Sequence, residues 1–126
     1  MHSEIADTLD IDRRQLFYGK AVYFTNTVVK KYGATIWNEM NELVTEAGAS
    51  SVESGTGDKG GKMAGRNSII YIGTDEDADA TLLIKDYSRV VYHKDLVKDA
   101  VVSGKLNLNE DRYKLKATPK AKGGRR

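Results

Sequence analysis

A glycine-rich segment divides this chain of 126 residues into two parts with different hydrophobic periods. Residues 49–66 contain five glycines among serines, lysines and acids, with few apolar side chains. Before this segment, apolar residues recur with the 3.6-residue period of a helix. After it they come in short runs rich in β-branched residues, which is typical of strands. The sequence therefore predicts a helical part and a sheet part, joined by a flexible glycine-rich loop.

The first part is predicted to form two helices. The first helix covers residues 10–32 and ends at Gly33, where glycine can adopt the left-handed turn that closes many helices. A strand is the alternative for part of this segment, because residues 21–29 are crowded with β-branched and aromatic side chains. The second helix begins near Thr35, and its apolar positions have the clearest helical spacing in the chain: Ile36, Met40, Leu43, Val44 and Ala47.

The second part is predicted to form a small antiparallel sheet. Short runs rich in Ile, Leu, Val and Tyr occupy residues 67–73, 80–85 and 89–93. Acidic and polar turns separate these runs, as in a three-stranded meander. A short amphipathic helix over residues 96–101 then ends at Gly104.

Helices that precede strands, with little alternation between them, indicate an α+β fold rather than a doubly wound sheet. The chain is long enough to bury one hydrophobic core without metals or crosslinks. We therefore expect a single α+β domain over residues 1–116, with a flexible loop at 49–66 and a basic tail at 117–126. Its elements in order are two N-terminal helices, the Gly-rich loop, a three-stranded antiparallel meander, a short C-terminal helix and the tail.

The charges of the chain are distributed unevenly. Residues 112–126 hold seven lysines and arginines and no acid. Subtracting these seven from the total of 20 leaves 13 basic against 18 acidic residues, so residues 1–111 carry a formal charge of −5. A basic end on an acidic body is typical of proteins that bind nucleic acid or another anionic surface, including a neighbouring copy of the same body.

Two groups of cations are therefore candidate contacts to DNA, RNA or another polyanion, because lysine and arginine gain affinity by displacing counterions from phosphates. The first group belongs to the basic end, and the second lies beside aromatic residues in the predicted first helix, where rings could stack on bases. The candidates are Arg112, Lys114, Lys116, Lys120, Lys122, Arg125 and Arg126 in the first group, and Arg13 and Arg14 in the second. Solvated cations on a surface are the competing interpretation of both groups.

Composition excludes several functional classes. The chain has no cysteine, which removes disulfides, thiolate zinc sites and cysteine nucleophiles. No stretch approaches the roughly 20 apolar residues of a membrane span, and the first residues lack the apolar run of a secretory signal. We expect an intracellular, cytoplasmic protein, or a virion component if the chain is viral, with no membrane partner.

Three further patterns resemble chemical sites only in part. Asp75, Asp77 and Asp79 have the alternating spacing of a calcium loop, but the sixth position of that loop is Ala80 instead of glycine, so they are weak metal candidates. Residues 55–63 lack the first glycine and the final hydroxyl of a phosphate-binding loop. His93 is the single plausible general base, and no nucleophile is fixed near it by the sequence.

The sequence thus favours a non-enzymatic structural or assembly protein with no cofactor. Its expected partners are copies of itself or other subunits of a complex, viral or nucleoprotein assemblies included. The basic tail would contact nucleic acid or an acidic neighbouring surface. The alternative is a free-standing regulatory protein that binds nucleic acid through the tail and the cationic first helix.

Overall fold

The computed structural model describes residues 15–65 and 68–117. Strands and helices alternate along most of this range, and each strand is followed by a helix. The elements are β1 (Ala21–Thr25), α1 (Asn26–Glu46), β2 (Ser51–Gly55), α2 (Gly57–Gly61), β3 (Ile69–Gly73), α3 (Ala78–Tyr87), β4 (Val91–His93), α4 (Asp95–Ser103) and a 3₁₀ turn (Asp111–Tyr113).

The four strands form one parallel sheet in the order β2-β1-β3-β4. Val22 of β1 lies between Val52 of β2 and Ile70 of β3, and Ile72 of β3 lies opposite Tyr92 of β4. Parallel neighbours need long crossover connections, which the helices supply here. The chain moves outward from β1 to β2 and then crosses back to β3, so the direction of winding reverses between β1 and β3.

Helices cover both faces of the sheet. On one face, Val22, Phe24 and Ile72 pack against side chains of α1 and α4. On the other face, Tyr23 and Tyr71 pack against Ala80 and Leu83 of α3. Central strands buried on both faces are apolar at nearly every position, which is the composition of residues 21–25 and 69–73.

Helix α1 is broken at Gly33. This residue has φ 77° and ψ 177°, a backbone conformation that is essentially restricted to glycine. The first turns of α1 are capped by Thr25, whose hydroxyl accepts a hydrogen bond from Val28 N. After the break, Trp37 packs edge-on against Phe24, with 4.9 Å between the ring centroids. The break therefore divides α1 into a short segment next to β1 and a longer segment that packs on the sheet.

The predicted fold class was wrong, although the chain does mix helices and strands. Over residues 15–65 and 68–117 the structure has four α-helices and an all-parallel sheet, not two N-terminal helices and a three-stranded antiparallel meander. The first predicted helix lies at residues 10–32, and residues 10–14 of it are outside the described range. From residue 21 onward it is replaced by β1 and the start of α1, so the strand alternative was correct for residues 21–25. The second predicted helix matches the part of α1 after Gly33, and the predicted helix at 96–101 matches α4.

The predicted strand at residues 80–85 is the helix α3. Asp77 caps this helix, because its side chain accepts a hydrogen bond from Ala80 N at 2.9 Å. An aspartate at that position directs the following apolar residues into a helix, and the apolar run of Leu82, Leu83 and Ile84 had suggested a strand instead. With a helix between them, β3 and β4 are parallel.

The segment predicted as a glycine-rich loop contains β2 and α2. Its glycines allow close packing against aromatic rings. A Cβ atom on Gly60 would lie 2.5 Å from Tyr23 Cε2, and one on Gly61 would lie 2.2 Å from Tyr87 Cγ. Hydrogen bonds reinforce this packing, since the Tyr71 hydroxyl donates to Gly60 O at 2.8 Å. The absence of side chains therefore lets α2 sit directly on the tyrosines.

Candidate functional site

The carboxyl ends of β1 and β3 meet where the winding of the sheet reverses, which is the usual ligand site of open α/β sheets. Here the position is occupied by a buried hydrogen-bond network around Asp77. The carboxylate accepts hydrogen bonds from Thr25 Oγ1 at 2.6 Å, Thr74 N at 3.2 Å and Ala80 N at 2.9 Å. Three donors from three parts of the chain therefore converge on one carboxylate, which joins α3 to the ends of both strands.

The segment of α1 before Gly33 is held over this network by contacts at both of its ends. At the first, Thr27 Oγ1 donates to Asp79 Oδ2 at 3.3 Å. At the second, the hydroxyls of Tyr32 and Thr74 share a hydrogen bond of 3.0 Å, and Lys94 Nζ lies 4.7 Å from the centroid of the Tyr32 ring. Side chains of α1 thus contact Asp79 of α3, Thr74 after β3 and Lys94 before α4.

The three aspartates considered as metal ligands have separate partners. Asp77 is buried in the network described above, and Asp79 Oδ1 accepts a hydrogen bond from Gly57 N at 3.1 Å. Asp75 is exposed and faces His93, with Nε2 3.7 Å from Asp75 Oδ2. Within residues 15–65 and 68–117, no group of three or more potential ligands is close enough to hold a metal ion.

A cleft of about 340 Å³ lies beyond the ends of β3 and β4, between the loop that follows β3 and the C-terminal segment. The loop after β3 contributes acidic residues and the C-terminal segment contributes basic residues, so the cleft has an acidic side and a basic side. Its charged lining residues are Asp75, Glu76, Asp77, His93, Arg112, Lys114 and Lys116.

His93 is oriented by its neighbours in this region. Its Nδ1 accepts a hydrogen bond from Asp95 N at 3.1 Å, so the ring in its neutral form carries its proton on Nε2, towards Asp75. Partial burial alone would raise the pKa of Asp95, but the hydrogen bond from Lys94 and the charges of His93 and Lys94 hold that pKa below its ordinary value. Thr74, a hydroxyl residue that lines the cleft, is buried and bonded to Tyr32. Among residues 15–65 and 68–117, the geometry therefore provides an imidazole oriented by Asp95 N, and the one cleft hydroxyl discussed, that of Thr74, is bonded to Tyr32.

The first cations of the basic end belong to the folded body. Lys114 lies opposite Tyr92 of β4 in an antiparallel bridge, and Leu115 N donates to Val91 O at 2.8 Å. Side chains fix the same segment from within, because the Tyr113 hydroxyl donates to Asp99 and the Tyr92 hydroxyl donates to Leu108 O at 2.9 Å. The segment is thus fastened to the outer edge of the sheet.

Two of these cations have acidic neighbours in sequence. Arg112 Nε lies 2.7 Å from Glu110 Oε1, and this hydrogen bond raises the pKa of the guanidinium. Lys114 Nζ lies 3.5 Å from Asp111 Oδ1. Lys116 is exposed. The other candidate cations, Arg13, Arg14, Lys120, Lys122, Arg125 and Arg126, lie outside the described residues.

The aromatic residues considered for base stacking are divided between core and surface. Phe17 and Tyr23 are fully buried, whereas Tyr18 is 78% exposed. Burial, together with the carboxylates of Asp79 and Glu53, raises the pKa of Tyr23 to about 12. The Tyr23 hydroxyl donates to Thr56 O at 2.6 Å, which ties β1 to the start of α2. Of the aromatic residues Phe17, Tyr18 and Tyr23, only Tyr18 is therefore on the surface, and Arg13 and Arg14 lie outside the described residues.

Comparison of this chain with protein-family models gives no match, and comparison with curated protein sequences gives none either. In the part of the chain that the structure covers, each helix is too short or too polar to cross a lipid bilayer.

Proposed function

We propose that this chain is a non-enzymatic subunit of a larger assembly. Its basic C-terminal segment, residues 112–126, contacts an anionic surface, which is either nucleic acid or an acidic face of a neighbouring subunit. The observation that carries the proposal is the attachment of the segment to β4 through Lys114 and Leu115. A binding segment that leaves the body from a fixed point loses less freedom on binding than one joined by a free linker.

The distribution of charge around that attachment supports the same function. Glu110 pairs with Arg112, and Asp111 pairs with Lys114, so the charges of the first two cations are partly neutralised within the fold. From Lys116 onward the sequence carries five cations and no acid. We infer that residues 116–126 form the part of the segment that contacts the partner.

The exposed apolar residues favour an assembly over a free-standing regulator. Tyr18, Val90 and Val102 are each more than half exposed. Single exposed apolar residues are ordinary. In this chain they occur together with a basic segment, and a contact with another subunit could bury the apolar residues and pair the charges. The free-standing alternative also relied on a cationic first helix, and the strand β1 interrupts that predicted helix at residues 21–25.

Self-association and binding of isolated nucleic acid distinguish the two functions. We expect sedimentation velocity to show concentration-dependent association of the full chain at low salt. The quadruple variant K120Q/K122Q/R125Q/R126Q should associate much less. A matched control, K30Q/K62Q/K85Q/K98Q, removes the same charge from four exposed lysines elsewhere and should associate as the unmodified chain does.

A protein that stays monomeric at high concentration and binds DNA or RNA through its tail would support the regulator instead. A protein whose association and polyanion binding are both unaffected by the quadruple change would contradict the proposed role of the segment. Loss of binding in the control variant alone would also contradict it.

A further inference from the structure

The two outer edges of the sheet differ. At the β4 edge, Lys114 pairs with Tyr92 in an antiparallel bridge and Leu115 N donates to Val91 O at 2.8 Å, so the C-terminal segment covers this edge. At the opposite edge, β2 is hydrogen-bonded to β1, and the described residues supply no strand on its outer side. A strand at a sheet edge presents backbone N–H and C=O groups that can pair with another extended chain. In the described part of the chain, one edge is therefore closed and the other is open.

Strand β2 lacks most of the features by which proteins protect such an edge. Those features include prolines, bulges, very short strands and charged side chains. Strand β2 has five residues, which is a usual strand length, and contains no proline. It pairs with β1 residue by residue, from Ala21 with Ser51 to Thr25 with Gly55, and no bulge interrupts the register. Its backbone is therefore regular enough to accept a further strand.

The charges at this edge balance each other. Glu53 is the charged residue of β2, and Lys59 of α2 reaches back to it, with Nζ 3.8 Å from Glu53 Oε1. The same Nζ donates to Ser54 O at 3.2 Å, which places the ammonium group alongside the strand. The side chains of Glu53 and Lys59 are 44% and 57% exposed, so both are accessible to a partner. An edge with one acid and one cation is complementary to a second copy of itself, whereas a strongly basic or acidic peptide would oppose one of the two charges.

We infer that β2 pairs with β2 of a second copy, antiparallel and about a twofold axis, so that two four-stranded sheets join into one. A register centred on Glu53 uses the whole strand, because Ser51 then lies opposite Gly55 of the second copy and Glu53 lies opposite Glu53. Like charges directly opposite each other destabilise a pair of strands. Here Lys59 of each copy offsets Glu53, so the charges at the centre of the interface sum to zero.

This inference rests on the proposed function, because it names one contact of the proposed assembly. A twofold pair is closed, since each copy uses its β2 edge and neither can add a third copy there. Larger assemblies then require another contact, which the proposed function assigns to the basic segment. That segment is attached to β4, at the other edge of the sheet, so the two contacts can form together.

Disulfide formation between single-cysteine variants tests the pairing and its register, because this chain has no cysteine. Opposite residues of antiparallel strands have Cα atoms about 4.5–5.5 Å apart, within the range of about 4.4–6.8 Å that disulfides require. Glu53→Cys should therefore form a crosslinked dimer rapidly when the full chain is oxidised at micromolar concentration. Ser51→Cys should not, because the two Ser51 positions would lie four residues apart along the paired strands, about 14 Å.

Asn38→Cys, at an exposed position of α1, measures crosslinking by random collision. Paired strands hold two thiols at a millimolar effective concentration, so Glu53→Cys should crosslink roughly tenfold faster or more than Asn38→Cys and Ser51→Cys. Circular dichroism of the reduced variants checks their folding. Equal rates for Glu53→Cys and Asn38→Cys overturn the pairing. Crosslinking of Ser51→Cys as fast as Glu53→Cys overturns the register.

Addition of Glu53→Cys to K120Q/K122Q/R125Q/R126Q separates this inference from the proposed function. The combined variant should still crosslink at the rate of Glu53→Cys alone, because the paired edges do not involve the tail. Loss of crosslinking in the combined variant would show that the tail brings the copies together, which contradicts the pairing of β2. Association that depends on the tail, without rapid crosslinking of Glu53→Cys, would overturn this inference and leave the proposed function standing.

Discussion

Replacement of Asp77 by alanine should be among the most destabilising changes available at the ends of the strands. The carboxylate is 2% exposed and accepts hydrogen bonds from Thr25, Thr74 and Ala80. Loss of a helix cap alone costs about 1 kcal/mol. Each hydrogen bond to a charged group contributes about 1.5–3 kcal/mol, and the donors left behind are buried. Because the three bonds share one acceptor, we expect a total loss of about 3–5 kcal/mol.

Urea denaturation measures this loss as a change in the free energy of unfolding. Asp75→Ala is the matched control, because Asp75 is 78% exposed and should change stability by no more than about 0.5 kcal/mol. Thr25→Val should cost about 1.5–3 kcal/mol on its own. In the double variant, the two losses should fall short of additivity by about 1–2 kcal/mol, since they remove the same hydrogen bond. A loss of about 1 kcal/mol or less in Asp77→Ala, or strict additivity with Thr25→Val, would refute the network.

Three further predictions test the packing, the break in α1 and the response to pH. Gly60→Ala should lower the free energy of unfolding by about 1–3 kcal/mol in urea, because the new Cβ would lie 2.5 Å from Tyr23 Cε2; an unchanged midpoint would contradict the packing. Gly33→Ala should also cost about 1–3 kcal/mol, here through backbone strain alone because the new Cβ would meet no atom within 4 Å, and a neutral result would indicate a different backbone. The pKa of Tyr23 is raised by burial from 10.0 to about 12, so its contribution to stability is fully present below pH 10 and is lost as pH rises towards 12. The unmodified protein should therefore lose stability across that range more steeply than Tyr23→Phe, and equal slopes would show that Tyr23 titrates normally.

The sequence predicted the helix after Gly33 and α4 because each has one clear apolar stripe. It failed at β1 because Val22, Tyr23 and Phe24 are all buried, on the two faces of a parallel sheet. Such a run has no alternation of apolar and polar residues, so its positions also fit a helical stripe. Periodicity alone cannot separate the two structures in a short apolar run.

The parallel orientation of β3 and β4 depends on the helix between them, which the sequence signals by a helix cap and not by hydrophobic periodicity. The side chain of Asp77 caps α3, and recognition of that cap would have turned the predicted strand at 80–85 into a crossover helix. The strand β2 is partly exposed at the edge of the sheet and has the polar sequence SVESG, which gives no hydrophobic signal.

The candidate contact segment was visible in the charges of the sequence, but its attachment to β4 was not. The pairs of Arg112 with Glu110 and of Lys114 with Asp111 join residues two and three apart, so sequence proximity could have suggested them. The hydrogen bonds of the Arg89 side chain could not be predicted from proximity in sequence. Its partners Gly61 and Met63 lie 28 and 26 residues away, and only the folded chain brings them together.

The salt dependence of polyanion binding tests the proposed role of the basic segment most directly. Dissociation constants for a labelled DNA duplex and for a polyglutamate peptide are measured over a range of sodium chloride concentrations, with the full chain and with K120Q/K122Q/R125Q/R126Q. If the segment is the contact, the full chain binds at least one of the two polyanions. On duplex DNA the logarithmic salt slope should then fall by about 0.9 for each lost phosphate contact, up to roughly 3.6 for the four changes. Identical affinities and slopes for the two proteins on both polyanions would contradict it.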